Sequence, residues 1–389
     1  MRTSNGMKKY IYLDHAAATP IDSSVKAVMR EAMNHEGNPS SYNDAGRVAA
    51  DLLSQARTSV ARFLEAHSDE IIFTSSGSEA NALALHGSTK ANKIGTIVTI
   101  PIEHISVLEN AKATGCKIIW CNVDSEGRVS LSEVARHLKN TPMIISIMYA
   151  NNEIGTIEPI TQIGKMIRAF RKEHTSIFPL FHVDACQASA YLPMNVDQLG
   201  VDLLTMNGSK VYGPRGVGVL YVRRGVTLSP MISGGGQENG RRAGTENLPA
   251  IAGLAQALAN LDPAQGDRIS KLRDYFFDRI TKAIPEARIN GALGSERLAN
   301  NINISIPNLD SENLLLELDK SSIRAGSGAA CTARSVEPSH VLTAIGVKRP
   351  YLDGALRFSL GKSTQKKDIE YLLKVLPKTV AVLKKRYSL

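Results

Sequence analysis

LFHVDACQASAYLPMNVDQLGVDLLTMNGSKVYGPRGVGVLYV, residues 180–222, holds three apolar runs, LFHVDAC (180–186), LLTMN (203–207) and GVGVLYV (216–222), joined by polar segments with glycine and proline. Short apolar runs bounded by turn residues read as strands. The first run brings Asp184 and Gln187 to a strand end. After the second, GSK places Lys210 in a tight polar turn. Strands prefer apolar β-branched residues and turns need no ammonium group, so this lysine has no evident use to the fold.

Four more runs of the same kind precede this stretch: EIIFT (70–74), TIVTI (96–100), KIIWCNV (117–123) and MIISIMYA (143–150). Several are apolar on both parities, as expected when helices cover both faces of a sheet. Helical patterns lie between them, among them AGRVAADLLSQARTSVARFL, EANALALHG and ITQIGKMIRAFRKEH. Such alternation predicts an α/β layer around a mainly parallel, seven-stranded sheet. Beyond a helical stretch at 247–261 the pattern changes to helix, strand (300–306), helix, loop, strand (356–360) and terminal helix from Thr364. That predicts a smaller α+β domain. We expect a large domain over 16–261, and a small one made of 1–15 with 262–389.

A chain of 389 residues exceeds one comfortable core, in keeping with two domains. Its net charge of +9 is high, but lysines and arginines are dispersed and not interleaved with aromatics, so no direct nucleic-acid contact is expected. No apolar run reaches the ~18 residues of a membrane span. The N-terminal residues carry no apolar signal region, and four cysteines match neither a zinc pattern nor a disulfide framework. A reducing cytoplasm is the expected location. Cys116, Cys121 and Cys186 lie in or beside apolar runs and are expected in the core, whereas Cys331 sits in a Gly/Ser/Ala loop, AGSGAACTARS.

Lys210 suits Schiff-base formation with pyridoxal 5'-phosphate, and that cofactor also wants a carboxylate on its pyridinium nitrogen, which Asp184 can supply. FTSSGSEAN (73–81) reads as strand, turn and helix start, whose Gly77, Ser78 and Glu79 N–H groups suit a phosphate. His104 in IEHIS follows a strand end, where ligands of α/β sheets gather. MYANNEIG ends another strand with two asparagines beside an acid, and GGGQENGRRAGTEN (234–247) is a cationic glycine-rich loop. Each segment alone also has a plain reading: a helix cap, a structural histidine, a turn, a solvated loop. Six coincidences at strand ends and turns of one sheet favour a shared site.

At this point the chain resembles the cysteine desulfurases of the class V aminotransferases, which are fold type I pyridoxal-phosphate enzymes. The resemblance runs from YLDHAAATPID (12–22) and GNPSSYNDAGR (37–47) through FTSSGSEAN, NNEIGTIEPI, HVDACQ and GSKVYGPRG to EPSHVLTAIG and LRFSLGK, in family order. It implies Lys210 as the Schiff-base lysine, Asp184 on the ring nitrogen, Gln187 on the ring hydroxyl and His104 stacked on the ring and moving protons. It implies Gly77, Ser78, Asn207 and Ser209 at the phosphate, with Thr245 reaching it from the neighbouring subunit of a homodimer. Asn38, Asn152 and Arg357 are implied to bind the substrate L-cysteine, Asn152 also lying near the ring hydroxyl.

The loop GSGAACTARSVEPSHVL is similar to that of the group with a long cysteine loop, here about 324–340. By that resemblance Cys331 takes the sulfur as a persulfide, leaving L-alanine, and passes it to an acceptor protein for iron–sulfur cluster assembly or tRNA thiolation. Cys331 is also implied as a transient iron–sulfur ligand. Arg324 and Arg334 flank it and could lower its pKa. Two departures stand out: Ser209 replaces the family's usual histidine, and SSGSE replaces a GGTE-like run, with Ser78 for threonine. The alternatives are a selenocysteine lyase or another class V lyase or aminotransferase and, from a different class, a non-catalytic scaffold for sulfur-transfer partners.

Overall fold

The computed structural model describes residues 10–328 and 338–388. A short strand, β1 (Ile11–Tyr12), precedes the seven strands of the main sheet: β2 (Ile71–Thr74), β3 (Thr96–Thr99), β4 (Lys117–Trp120), β5 (Met143–Ser146), β6 (Leu180–Asp184), β7 (Leu203–Asn207) and β8 (Gly218–Val222). Their order is β2-β8-β7-β6-β5-β3-β4. β8 runs antiparallel to β2 and β7, and the remaining neighbours are parallel. The mainly parallel seven-stranded sheet is the one expected.

The two strand parities feed two cores. Ile145, Phe181, Val183 and Leu204 pack on one face against the helices Asp44–Leu64, Ile160–Glu173 and Leu248–Ala259. Ile97, Ile144, Leu180 and Leu203 pack on the other against Gly77–Ala82 and Ile105–Ala113. Burial of both parities removes the alternation that a half-exposed strand would show. In Ile160–Glu173 the buried residues Ile160, Ile163, Gly164 and Ile167 fall at helical spacing and form its sheet-facing stripe.

Three further strands, β9 (Arg288–Ile289), β10 (Asn301–Ser305) and β12 (Ala355–Ser359), form an antiparallel sheet in the order β12-β10-β9. Between them in the chain, β11 (Ile323–Arg324) pairs in parallel with β1. This part has its own core, in which Leu13 joins Phe276, Ile302, Ile304, Phe358 and Leu372. Val341, Leu342 and Ile345 instead join the first core. We keep the division into 16–261 and 1–15 with 262–389 as a proposal; the place of Leu13 supports it, and the helix His340–Ala344 crosses it.

Several strands stop earlier than their apolar runs. KIIWCNV, MIISIMYA and LFHVDAC leave the sheet after Trp120, Ser146 and Asp184. Beyond the last two, Met148, Ala150 and Cys186 line a cavity, whereas Cys121 beyond the first joins the core. The helix expected at EANALALHG begins at Gly77 and carries a π turn over Leu83–Gly87. Among the described residues no helix is long and apolar enough to cross a membrane.

His182 lies buried in mid-sheet, its Nδ1 2.8 Å from Ser146 Oγ and its Nε2 3.2 Å from Thr205 Oγ1. Burial holds its imidazole down to about 4 from the ordinary 6.5. Between those values the unfolded chain takes up a proton that the folded chain refuses, so stability falls as pH falls through the window. The loss is about 3 kcal/mol for this group. A His182→Gln variant is expected to lose about 3 kcal/mol less over the same window, read from urea unfolding at its two ends.

Candidate active site

A cavity of about 310 Å³ opens at the carboxyl ends of β6 and β7, where ligands of parallel sheets gather. Lys210, Asp184, Gln187, Asn207, His104 and Asn152 line it, as do Gly77, Ser78 and Arg357. These come from four strand ends, one helix start and the second sheet. The lysine stands in the 3-10 turn Gly208–Lys210 that follows β7, and its Nζ donates to Ala16 O at 2.8 Å and Ala17 O at 2.7 Å. Gln187 Nε2 donates to the same Ala16 oxygen at 3.0 Å.

Asp184 is 6% exposed. Its Oδ1 accepts from Cys186 N at 2.9 Å and its Oδ2 from Asn81 Nδ2 at 2.8 Å. Asn81 also donates to Ser106 Oγ at 2.9 Å, and that hydroxyl stands 2.8 Å from His104 Nδ1. Because Nδ1 accepts from Ser106 N at 3.1 Å, the neutral ring carries its proton on Nε2. Burial lowers the His104 pKa, with Lys210 and His340 adding to it and Asp184 opposing, so the ring is uncharged near neutrality. One hydrogen-bonded chain thus links the carboxylate to the imidazole.

At the helix start, Ser76 Oγ takes the Glu79 N–H at 3.1 Å, so this group is spent on the cap and the cavity wall falls to Gly77 and Ser78. A Cβ at Gly77 would meet Cys186 Sγ at 2.8 Å, so only glycine fits there. Cys186 is accordingly not a plain core residue: it is buried but lines the cavity. Arg357, on β12, is 2% exposed and donates to Asn152 O at 2.9 Å, Gly328 O at 3.3 Å and Asp14 Oδ1 at 3.0 Å, and its buried Nε has no acceptor among the described residues.

Three expected residues do not line this cavity. Ser209 meets it only through Asn207, to whose Oδ1 it donates at 3.1 Å. Asn38 is exposed and accepts from Ser40 N at 2.9 Å. Thr245 lines a separate cavity of about 180 Å³ with Arg242 and Glu246. Cys331 and Arg334 lie outside the described residues, and with them the persulfide and iron–sulfur roles. Arg324 stacks on Tyr10, 3.6 Å from the ring centroid. Among the described residues no group of three or more His, Cys, Asp or Glu could hold a metal ion.

A model of the class-V aminotransferases matches residues 11–372. The chain belongs to that family. Class-V aminotransferases are pyridoxal-phosphate enzymes, and the relatives narrow the activity. The cysteine desulfurase IscS of Dictyoglomus turgidum is 42% identical over 97% of this chain and 96% of its own length, and that of Methanosarcina thermophila 40% identical over 97% and 93%. A solved NifS-like protein superposes with a TM-score of 0.87 at 33% identity, covering 96% of this chain and all of its own. Within the class-V family the chain is a cysteine desulfurase.

Sequence reasoning missed Asn81, Ser106, Glu153 and His340, all of which line the cavity. The signal for Asn81 was an amide on an otherwise apolar helix face, four residues after Gly77. Asn81→Ala leaves Asp184 without a charge-assisted bond of about 1.5–3 kcal/mol. The expected result is a roughly 10–100-fold fall in alanine production from L-cysteine.

Proposed function

We propose that this cysteine desulfurase holds pyridoxal 5'-phosphate in the cavity, converts L-cysteine to L-alanine and receives the sulfur as a persulfide on Cys331. The observation that carries the reading is the convergence of Lys210, Asp184, His104 and Arg357 on one cavity. The donor set suits the cofactor. Gly77 leaves no side chain between the helix start and Cys186, Ser78 adds a hydroxyl, and the buried Asp184 carboxylate is pinned by two donors. Lys210 would hold the aldehyde carbon, Asp184 the ring nitrogen and Gln187 the ring hydroxyl. Gly77, Ser78 and Asn207 would face the phosphate, with Ser209 behind them holding Asn207.

When bound, the cofactor supplies an electron sink for the pair released at the substrate Cα. Lys210 Nζ is the group placed to move the Cα proton, and the Ala16 and Ala17 carbonyls orient it. His104 Nε2–H offers a proton that can be given and regained within the cavity. Arg357 Nε, buried and without an acceptor among the described residues, would be the donor for the substrate carboxylate. Asn152 and Asn38 would complete that subsite, Asn38 only if its exposed turn meets the cavity of a second copy. In the sulfur step a Cys331 thiolate bonds to the substrate sulfur. The broken C–S bond leaves its electron pair on carbon, where a proton completes L-alanine. A solved structure described as SspA in complex with cysteine, 31% identical over 90% of this chain with a TM-score of 0.78, supports cysteine as the substrate.

A homodimer, with Thr245 of each copy serving the other's phosphate, accounts for Thr245 lying away from its own cavity. An acceptor protein, an iron–sulfur scaffold or a thiolation protein in the cytoplasm, would take the persulfide sulfur and free Cys331 for the next turnover. That thiol could also hold an iron–sulfur cluster transiently.

Lys210→Ala is expected to lose both the visible cofactor absorbance and all turnover; a variant that keeps a borohydride-reducible lysine bond would remove Lys210 from this role. Cys331→Ser is expected to keep the absorbance and its response to L-cysteine but form no persulfide, because a hydroxyl ionises far less readily than a thiol. Mass spectrometry of the wild type should place the extra sulfur on Cys331 and not on Cys116, Cys121 or Cys186. Normal desulfuration by Cys331→Ser would favour a selenocysteine lyase instead.

A further inference from the structure

Glu153 is a buried acid that the steps above leave without a task. It is 2% exposed and lines the cavity. Its backbone is pinned from both sides. Asn151 Oδ1 accepts from Glu153 N at 2.8 Å, and Glu153 O accepts from Asn301 Nδ2 at 3.0 Å and Asn303 Nδ2 at 3.1 Å. The carboxylate therefore cannot drift far from its place between the end of β5 and β10.

That place has a particular relation to the chain. Oε2 accepts from Ser339 Oγ at 2.6 Å, while the same hydroxyl oxygen accepts from Leu342 N at 3.1 Å and so caps the helix His340–Ala344. On the other side stands Gly328, at φ +93°, where a Cβ would lie 3.3 Å from the same Oε2. Gly328 O in turn accepts from Arg357 Nη1 at 3.3 Å. One carboxylate oxygen thus adjoins the chain both before and after Cys331. Burying a carboxylate is unfavourable unless it is bonded. Burial pushes Glu153 up, and Ser339, His340 and Arg357 hold it back.

We propose that Glu153 is a positioning residue for sulfur uptake: by binding Ser339 and abutting Gly328 it holds the chain on both sides of Cys331. The proposal rests on Cys331 being the sulfur acceptor. Glu153 itself forms no bond to sulfur and takes no proton in the step.

The test compares the holoenzyme of the wild type with Glu153→Ala, Glu153→Gln and Ser339→Ala. Cofactor absorbance and its fast response to L-cysteine should be retained in all four. Persulfide on Cys331, trapped by alkylation and read by mass spectrometry, should form about 10²-fold more slowly in Glu153→Ala, since misplacement by an ångström costs that much. Glu153→Gln keeps an oxygen that accepts the Ser339 hydroxyl and should recover most of the rate. Should the Glu153 variants fail to fold, Ser339→Ala removes the hydroxyl alone and should still slow the persulfide step. Wild-type persulfide rates in Glu153→Ala or Ser339→Ala overturn the proposal, as does a parallel slowing of the cofactor response. A wild type that places no sulfur on Cys331 overturns the functional reading itself, whatever the variants do.

Discussion

The hydrogen bond from Asn81 Nδ2 to Asp184 Oδ2 joins the helix that opens at Gly77 to the end of β6. An isolated buried carboxylate would be unfavourable enough to take up a proton or draw in water. With Cys186 N on its other oxygen, Asp184 stays put inside the protein. Asn81 spends its second N–H on Ser106, which holds the His104 ring. A single amide side chain therefore sets the relative placement of the acid and the imidazole. The helix start that would face a phosphate belongs to the same rigid unit.

Lys210 is held by a different device. Its ammonium group meets two main-chain carbonyls of the segment that precedes the first helix. The two carbonyl dipoles both point at the amine and aim it into the cavity. Arg357 is held more firmly, by two carbonyls and the Asp14 carboxylate. Asp14 and Ala16 lie two residues apart, so one short stretch holds both Lys210 and Arg357.

The sheet was legible because burial on both faces leaves strands apolar on both parities, as at 143–146 and 180–184. Strand ends were not, since Met148 and Ala150 remain apolar after the sheet stops, as cavity floor. Lys210 and Asp184 stood out in the sequence because charged groups at strand ends serve no packing purpose, and both line the cavity. In NNE the polar cluster was visible, but the division of labour was not: Asn151 turns inward to cap its own loop, while Asn152 and Glu153 line the cavity. Asn81 gave little signal, because a lone amide in a helix is common. Nor does spacing along one chain say whether Thr245 or Asn38 meets its own site or that of a second copy.

The stretch Leu13–Ala17 has a consequence for how the protein is made. Leu13 belongs to the second core, Ala16 N donates to Ser359 Oγ across 343 residues, and Ala16 O receives Lys210. A growing chain lengthens at about 5–20 residues per second, so these early residues wait roughly 17–70 s for Ser359. Through that interval the main sheet can assemble while the cavity lacks the wall residue supplied by β12, Arg357. The cavity wall is thus assembled in two instalments, and a product truncated before β12 would carry Lys210 but not Arg357.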